Sequence, residues 1–412
     1  MPLTLANPNA QIETGEAVSD QEYLYTLNFG PQHPATHTTL RLILTLDGEV
    51  IVKAVPDIGY LHSGFEKLGE DLDFNQYVTV VDRMNYISPI ANEIAWHHTV
   101  EKLMGIEITP RCKYIRTIIA ELARMSDHLL CVGASALDLG GITGFLYAFN
   151  EREKIYNIFE TMSGQRFHPS FSRVGGLMMD VNDSWIEQIR KFAHHDFPKA
   201  HADVTRLLNR NKIFVDRTKG IGVLSREEAI NRSATGPIAR ASGVQRDLRI
   251  DEPYLAYADL DFEMVCAEGG DCYSRYLVRM EELKESCKII QQAVENIPFG
   301  PINVDLESKQ VIPDKSATYR SIEGLIQHFE LFMWNRRWTP PIEELYAATE
   351  APNGELGFYV VSNGNGHAYR ARTRPPSFIH FSLFPMLIEG HQISDVPAVL
   401  GSLNIIAAEL DR

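Results

Sequence analysis

Three places in this sequence set acid–base groups where they can act on a bound molecule. The first is the loop Gly30-Pro31-Gln32-His33-Pro34-Ala35-Thr36-His37, where two prolines and a glycine interrupt a sheet pattern and hold two imidazoles close together. An imidazole with a pKa of about 6.5 can carry a proton and release it near neutrality. The second is Asp82-Arg83-Met84-Asn85-Tyr86, which joins a carboxylate, a guanidinium and a phenol. A tyrosine of pKa about 10 stays protonated at neutral pH and can donate a hydrogen bond throughout. The third is Leu137-Asp138-Leu139-Gly140-Gly141, where a carboxylate interrupts an apolar helix. Asp138 is either a solvated residue near a helix end or, if buried, needs a basic partner, because an unpaired buried carboxylate is costly. Taken singly, each has an ordinary explanation: a loop histidine caps or faces solvent, and Arg83 makes a surface ion pair.

The elements that must position these groups follow from the apolar pattern. LYTLNF from Leu24, TLRLILTL from Thr39 and EVIVKAV from Glu49 alternate as strands, with Asp47-Gly48 as the hairpin turn between the last two. Helical periodicity follows. In residues 113–131, Ile115, Ile118, Ile119, Leu122, Met125 and Leu129 share one face, with Arg116, Glu121 and Arg124 largely off it. Leu277, Met280, Leu283, Cys287, Ile290, Val294 and Ile297 repeat the pattern before Pro298, and residues 90–104 and 150–163 are further helices. From Pro340 the composition changes: residues 355–362 read as a strand, 363–366 as a turn and 368–374 as its partner. The expected class is α+β: a polar arm at 1–22, a β region at 23–64 bearing the histidine loop, a helical bundle at 65–339, and an α+β region at 340–412.

Composition excludes several functions. The chain has 412 residues, 44% of them apolar, which is ample for a large core. Its 54 acidic residues outnumber 39 basic ones, giving a net charge of −15 and arguing against nucleic acid as a partner. The first residues have neither the basic nor the apolar region of a signal peptide. The least charged long stretch, 129–149, contains Asp138 and four glycines, and reads as a buried helix ending in a Gly-rich turn rather than a membrane span. The five cysteines form no Cys-x-x-Cys pair, so the reading is reduced thiols in a cytoplasmic protein, with no metal or cluster bound by this chain.

Beyond these features, the chain resembles the D-type (49 kDa) subunits of respiratory NADH–quinone oxidoreductases, complex I. The resemblance is carried by LNFGPQHPATH at 27–37, IGYLHSGFEK at 58–67, DRMNY at 82–86, FNERE at 149–153, SGQRFH at 163–168 and RASGV at 240–244. RMEE at 279–282 with SCKII at 286–290, GELG at 354–357 and the terminal Asp411-Arg412 continue it in one register from about residue 23 to the end.

The resemblance implies a quinone headgroup between His37 and Tyr86, with Asp138 pairing with His37 and His33 in the same pocket loop. It places Arg83 and His168 near an iron–sulfur cluster held by a neighbouring polypeptide. Implied partners are the cluster-bearing B-type subunit, the C-type subunit, other peripheral-arm subunits and the membrane arm at the quinone entrance. The implied setting is peripheral, on the cytoplasmic side of the cell membrane, in a proton-translocating complex. Two positions depart from the common family pattern: Ser63 stands where arginine is frequent, and Asn404 where the family has aspartate. The implied fold is that of the nickel–iron hydrogenase large subunit, yet residues 83–88 and 404–409, where its Cys-x-x-Cys pairs would fall, contain no cysteine. Nickel in that sulfur-rich site requires thiolates, so hydrogenase activity is disfavoured. A scaffold role without chemistry is the other alternative.

Overall fold

The computed structural model describes residues 24–36, 39–304, 315–333 and 340–412. The arm at 1–22 and His37 therefore lie outside the described residues. Strands β1 (Leu24–Phe29), β2 (Arg41–Asp47) and β3 (Val50–Asp57) form an antiparallel sheet in that order. Leu42, Leu44 and Leu46 point into the core at alternate positions, the period-2 pattern of a half-buried strand. Far-off chain completes its edge: Ile51 N–H donates to the His391 carbonyl at 2.9 Å, and Gly390 N–H to the Ile51 carbonyl at 2.8 Å. The two ends of the chain thus fold as one structure.

The bundle comprises α1 (Pro89–Met104), α2 (Pro110–Asp138), α3 (Ile142–Ser163), α4 (Phe197–Asn209) and α5 (Cys272–Glu295). Helix α2 is central and packs against α1, α3 and α5. It starts where Thr109 Oγ1 accepts the Cys112 N–H and Pro110 occupies the first turn, a position that needs no backbone donor. The predicted apolar face is buried, and so is the other face. Arg116 pairs with Glu101 at 2.8 Å, Arg249 with Glu121 at 3.3 Å, and Arg124 donates to the Ala351 carbonyl at 3.2 Å. The same interior holds the family motifs: Arg240 bridges Glu282 at 2.8 Å and Glu350 at 2.7 Å.

Two expectations are corrected. The helix entering the stretch 129–149 does end in a Gly-rich turn, but α2 stops already at Asp138, Leu139 to Gly141 turn, and α3 begins at Ile142 rather than at 150. Gly140 sits at φ 83, a conformation open to glycine, and lets the chain reverse there. The C-terminal sheet has three strands, β4 (Glu344–Ala351), β5 (Gly354–Val361) and β6 (Arg370–Arg374), and the sequence pattern indicated only the last two. Helices α6 (Val396–Leu403) and α7 (Ala407–Asp411) close the chain. Asp411 ties the end back to the 58–67 motif: its carboxylate accepts Gly59 N–H at 2.8 Å and Leu61 N–H at 2.7 Å.

Candidate functional site

A cavity of about 240 Å³ opens between α2, α6 and the segment leading into α1. Thr36, Tyr86, Leu130, Ser135, Asn404 and Ile406 are on its wall. That volume suits a single ring system with its substituents; drug-sized ligands take roughly 300–1,000 Å³.

Tyr86 is held by the chain on either side of it. Asn85 Oδ1 accepts the Ile87 and Ser88 N–H groups at 3.2 and 3.3 Å, an Asx-type turn, and Pro89 then starts α1. Asn92, one turn into α1, donates to the carbonyls of Val81 and Asn85 at 3.1 and 3.2 Å. Only Tyr86 of this tight segment is left half-buried at the cavity. Burial raises its hydroxyl above the ordinary 10.0, so it is a protonated donor at neutral pH.

The histidine loop approaches the same cavity. Gly30 has φ 98, and a Cβ there would lie 1.9 Å from the Leu40 carbonyl, so glycine is needed to bring the two ends of the loop together. Residues Pro34–Thr36 form a single 3-10 turn in which Thr36 N–H and Oγ1 donate to the His33 carbonyl at 3.1 and 2.9 Å. Thr36 is buried on the cavity wall, while His33 is exposed with its ring 4.2 Å from that of Phe29. His37 follows Thr36 directly but lies outside the described residues. Asp138 is exposed at the C-terminal end of α2.

Arg83 and His168 meet through a buried anchor. Asp82 Oδ2 accepts Ser170 N–H and Oγ at 3.1 and 2.8 Å, and Glu93 Oε2 accepts the N–H groups of Phe171 and Ser172 at 2.9 and 2.8 Å. Burial raises both carboxyls above their ordinary range, and the Glu93 charge raises Asp82 further. Exposed Arg83 and half-buried His168 flank the anchor. Burial, and then the Arg83 charge, hold His168 below its ordinary 6.5. Ser63 is exposed, its hydroxyl donating to the Leu61 carbonyl at 3.2 Å.

The back wall contains groups that motif reasoning did not single out. Asn404 Nδ2 donates to Asp127 Oδ1 at 2.5 Å and to Asn353 Oδ1 at 2.6 Å. Asp127 is fully buried, and burial lifts it to about 6 against the pull of Arg279. Glu409, also fully buried and hydrogen-bonded by Ser377, is lifted to about 8 by burial and by Asp127. The available sequence signal was a carboxylate, Asp127, inside an apolar helical repeat; its partners lie far along the chain. Among the described residues no group of three or more His, Cys, Asp or Glu side chains is placed to hold a metal ion.

Comparison with known proteins places this geometry in a family. The family profile described as respiratory-chain NADH dehydrogenase, 49 Kd subunit, matches residues 138–412. The NADH-quinone oxidoreductase D subunit of Methylacidiphilum infernorum is 48% identical over 386 residues, 94% of this chain and 91% of that one. The D 2 subunit of Rhizobium meliloti is 45% identical over 398 residues, 97% of each chain. The D subunit of Akkermansia muciniphila is 43% identical over 409 residues, 99% of this chain and 97% of the relative. The chain belongs to the D-subunit family of NADH-quinone oxidoreductases, the 49 kDa-type subunits of the respiratory-chain NADH dehydrogenase, complex I.

Proposed function

We propose that this chain forms most of the quinone-headgroup pocket of its complex and supplies protons for quinone reduction. The observation that carries the reading is the cavity itself, which has Tyr86 on one wall and Thr36, the neighbour of His37, on another. Reducing a quinone to a quinol takes two electrons and two protons. Tyr86 donates to one carbonyl oxygen, and His37, paired with Asp138, holds a proton for delivery. A carboxylate beside the imidazole favours its protonated form.

The electrons come from an iron–sulfur cluster in the neighbouring B-type subunit, next to which Arg83 and His168 stand. The positive Arg83 favours the reduced cluster, and His168 couples its reduction to proton uptake. The C-type subunit, other peripheral-arm subunits and the membrane arm are the further partners, and quinone reduction drives proton translocation. We place the chain peripherally on the cytoplasmic face of the membrane; among the described residues no helix is long and apolar enough to cross it. The scaffold is that of the nickel–iron hydrogenase large subunit, with Tyr86 in space the metal would have used.

The test is photolabelling of the assembled complex with a photoreactive quinone analogue. Label should enter peptides around Tyr86 or 130–135 and be displaced by excess quinone. Label confined to other subunits would sink the reading and favour the scaffold alternative.

A further inference from the structure

Asn404 commits both amide hydrogens inward and leaves its oxygen without a partner among the described residues. Nδ2 donates to Asp127 Oδ1 and Asn353 Oδ1, at 2.5 and 2.6 Å. Asn353 is itself oriented, because its Nδ2 donates to the backbone carbonyl of Asn404 at 3.2 Å, so its Oδ1 must face back. Turning the Asn404 amide over would set its oxygen against those of Asp127 and Asn353, with little water to relieve the repulsion: the three residues are 7%, 0% and 1% exposed. Asn404 Oδ1 has no hydrogen-bond partner among the described residues, and Asn404 lines the cavity.

An ordinary role explains part of this. Asn404 ends α6 at φ 52, ψ 53, a left-handed cap where asparagine is favoured. Glycine would serve that backbone equally well. The cap does not call for two short buried bonds at the side-chain nitrogen of a residue on the cavity wall.

We propose that Asn404 Oδ1 accepts a hydrogen bond from a hydroxyl of the quinol product, which makes this residue a determinant of quinol over quinone binding. The inference rests on reading the cavity as the quinone pocket. A quinone presents only acceptors at its two carbonyls, and a fixed amide oxygen gains nothing from them. A quinol presents two O–H donors, and one of them satisfies Asn404 Oδ1 while Tyr86 serves the other oxygen. Once His37 has delivered its proton, the pocket offers Tyr86 as donor and Asn404 as a locked acceptor, a pair matched to the reduced ligand. Aspartate at this position would also present an oxygen, but beside buried Asp127 it would have to share a proton; the amide supplies the acceptor without that requirement.

The experiment uses the assembled complex under anaerobic conditions. A decyl-tailed benzoquinone, its quinol and the quinol dimethyl ether each compete against a photoreactive quinone analogue. In the unaltered complex the ether, which has no O–H donor, should compete about tenfold more weakly than the quinol. Asn404→Gly suits the left-handed backbone; it should weaken the quinol about tenfold, leave the quinone within about twofold and erase the preference over the ether. Asn404→Asp, which keeps an oxygen at the wall, should retain the preference. Equal weakening of quinone and quinol in Asn404→Gly, or equal competition by quinol and ether in the unaltered complex, would overturn the role of Asn404 while the labelled pocket stood. Labelling that no quinone or quinol displaces would overturn the pocket reading and this inference with it.

Discussion

Asp82 Oδ2 takes both the amide hydrogen and the hydroxyl hydrogen of Ser170, and this junction sets the segment bearing His168 beside Arg83. The carboxylate next to Arg83 in sequence is thus the clamp for a loop more than eighty residues away, rather than the counter-ion of the arginine.

Asp82→Asn and Asp82→Ala should separate clamp from charge. The amide retains an oxygen for Ser170 and removes the repulsion from Glu93, so the complex should assemble with near-normal stability. Alanine leaves the Ser170 N–H and hydroxyl, both part-buried, without their acceptor and should cost about 2 kcal/mol. Hydrogen exchange of residues 168–173 in the two variants checks this; equal protection would mean the clamp is not what orders the loop.

Arg83 and His168 should act on each other and on the cluster proposed for the neighbouring subunit. The Arg83 charge lowers the His168 pKa, so Arg83→Ala should raise it and move the pH window in which the cluster midpoint varies to higher pH. His168→Ala should abolish that pH dependence and leave quinone affinity intact. Redox titration over pH decides it, and a fully retained dependence in His168→Ala would remove the residue from this role.

Tyr86→Phe deletes one donor and keeps the ring. Assembly should survive and quinone reduction should fall about 10²-fold or more if the pocket is dry. His37→Ala should be milder where water replaces the imidazole, and Asp138→Asn should resemble it because both would break the proposed pair. Turnover with quinones of different tail length separates binding from chemistry; wild-type turnover of Tyr86→Phe with all of them would exclude the tyrosine as headgroup ligand.

Glu409 predicts a pH dependence of stability with a definite sign. Its carboxyl is raised from 4.5 to about 8, so the folded chain holds the extra proton between those values. The stabilisation is complete below the unfolded value and is lost as pH rises toward 8, with a slope of up to about 1.4 kcal/mol per pH unit. Glu409→Gln should flatten this loss, seen as hydrogen exchange of Ala407–Asp411 that, between about pH 4.5 and 8, no longer accelerates beyond its intrinsic rate. Buried His128 and His380 act oppositely: lowered from 6.5 to about 4 and about 3, they take up protons only on unfolding, so stability also falls as pH drops below 6.5.

The sequence by itself determined the elements whose pattern is local. The alternation of Leu42, Leu44 and Leu46 and the helical spacing from Ile115 to Leu129 each follow from one face meeting a core, and a few residues suffice to reveal it. The turns that place Tyr86 and Thr36 at the cavity were legible too, because their turn-forming neighbours lie within a few residues. Strand β4 was not: its burial follows no alternation, and only its pairing with β5 makes it a strand. Nor was the burial of the polar face of α2, since Glu121 and Arg124 lie off the apolar stripe and their partners, Arg249 and the Ala351 carbonyl, arrive from distant parts of the chain. The tertiary structure alone decided the back wall of the cavity. A buried carboxylate and a locked amide are stable only once every partner is in place, and no stretch of sequence contains all of those partners.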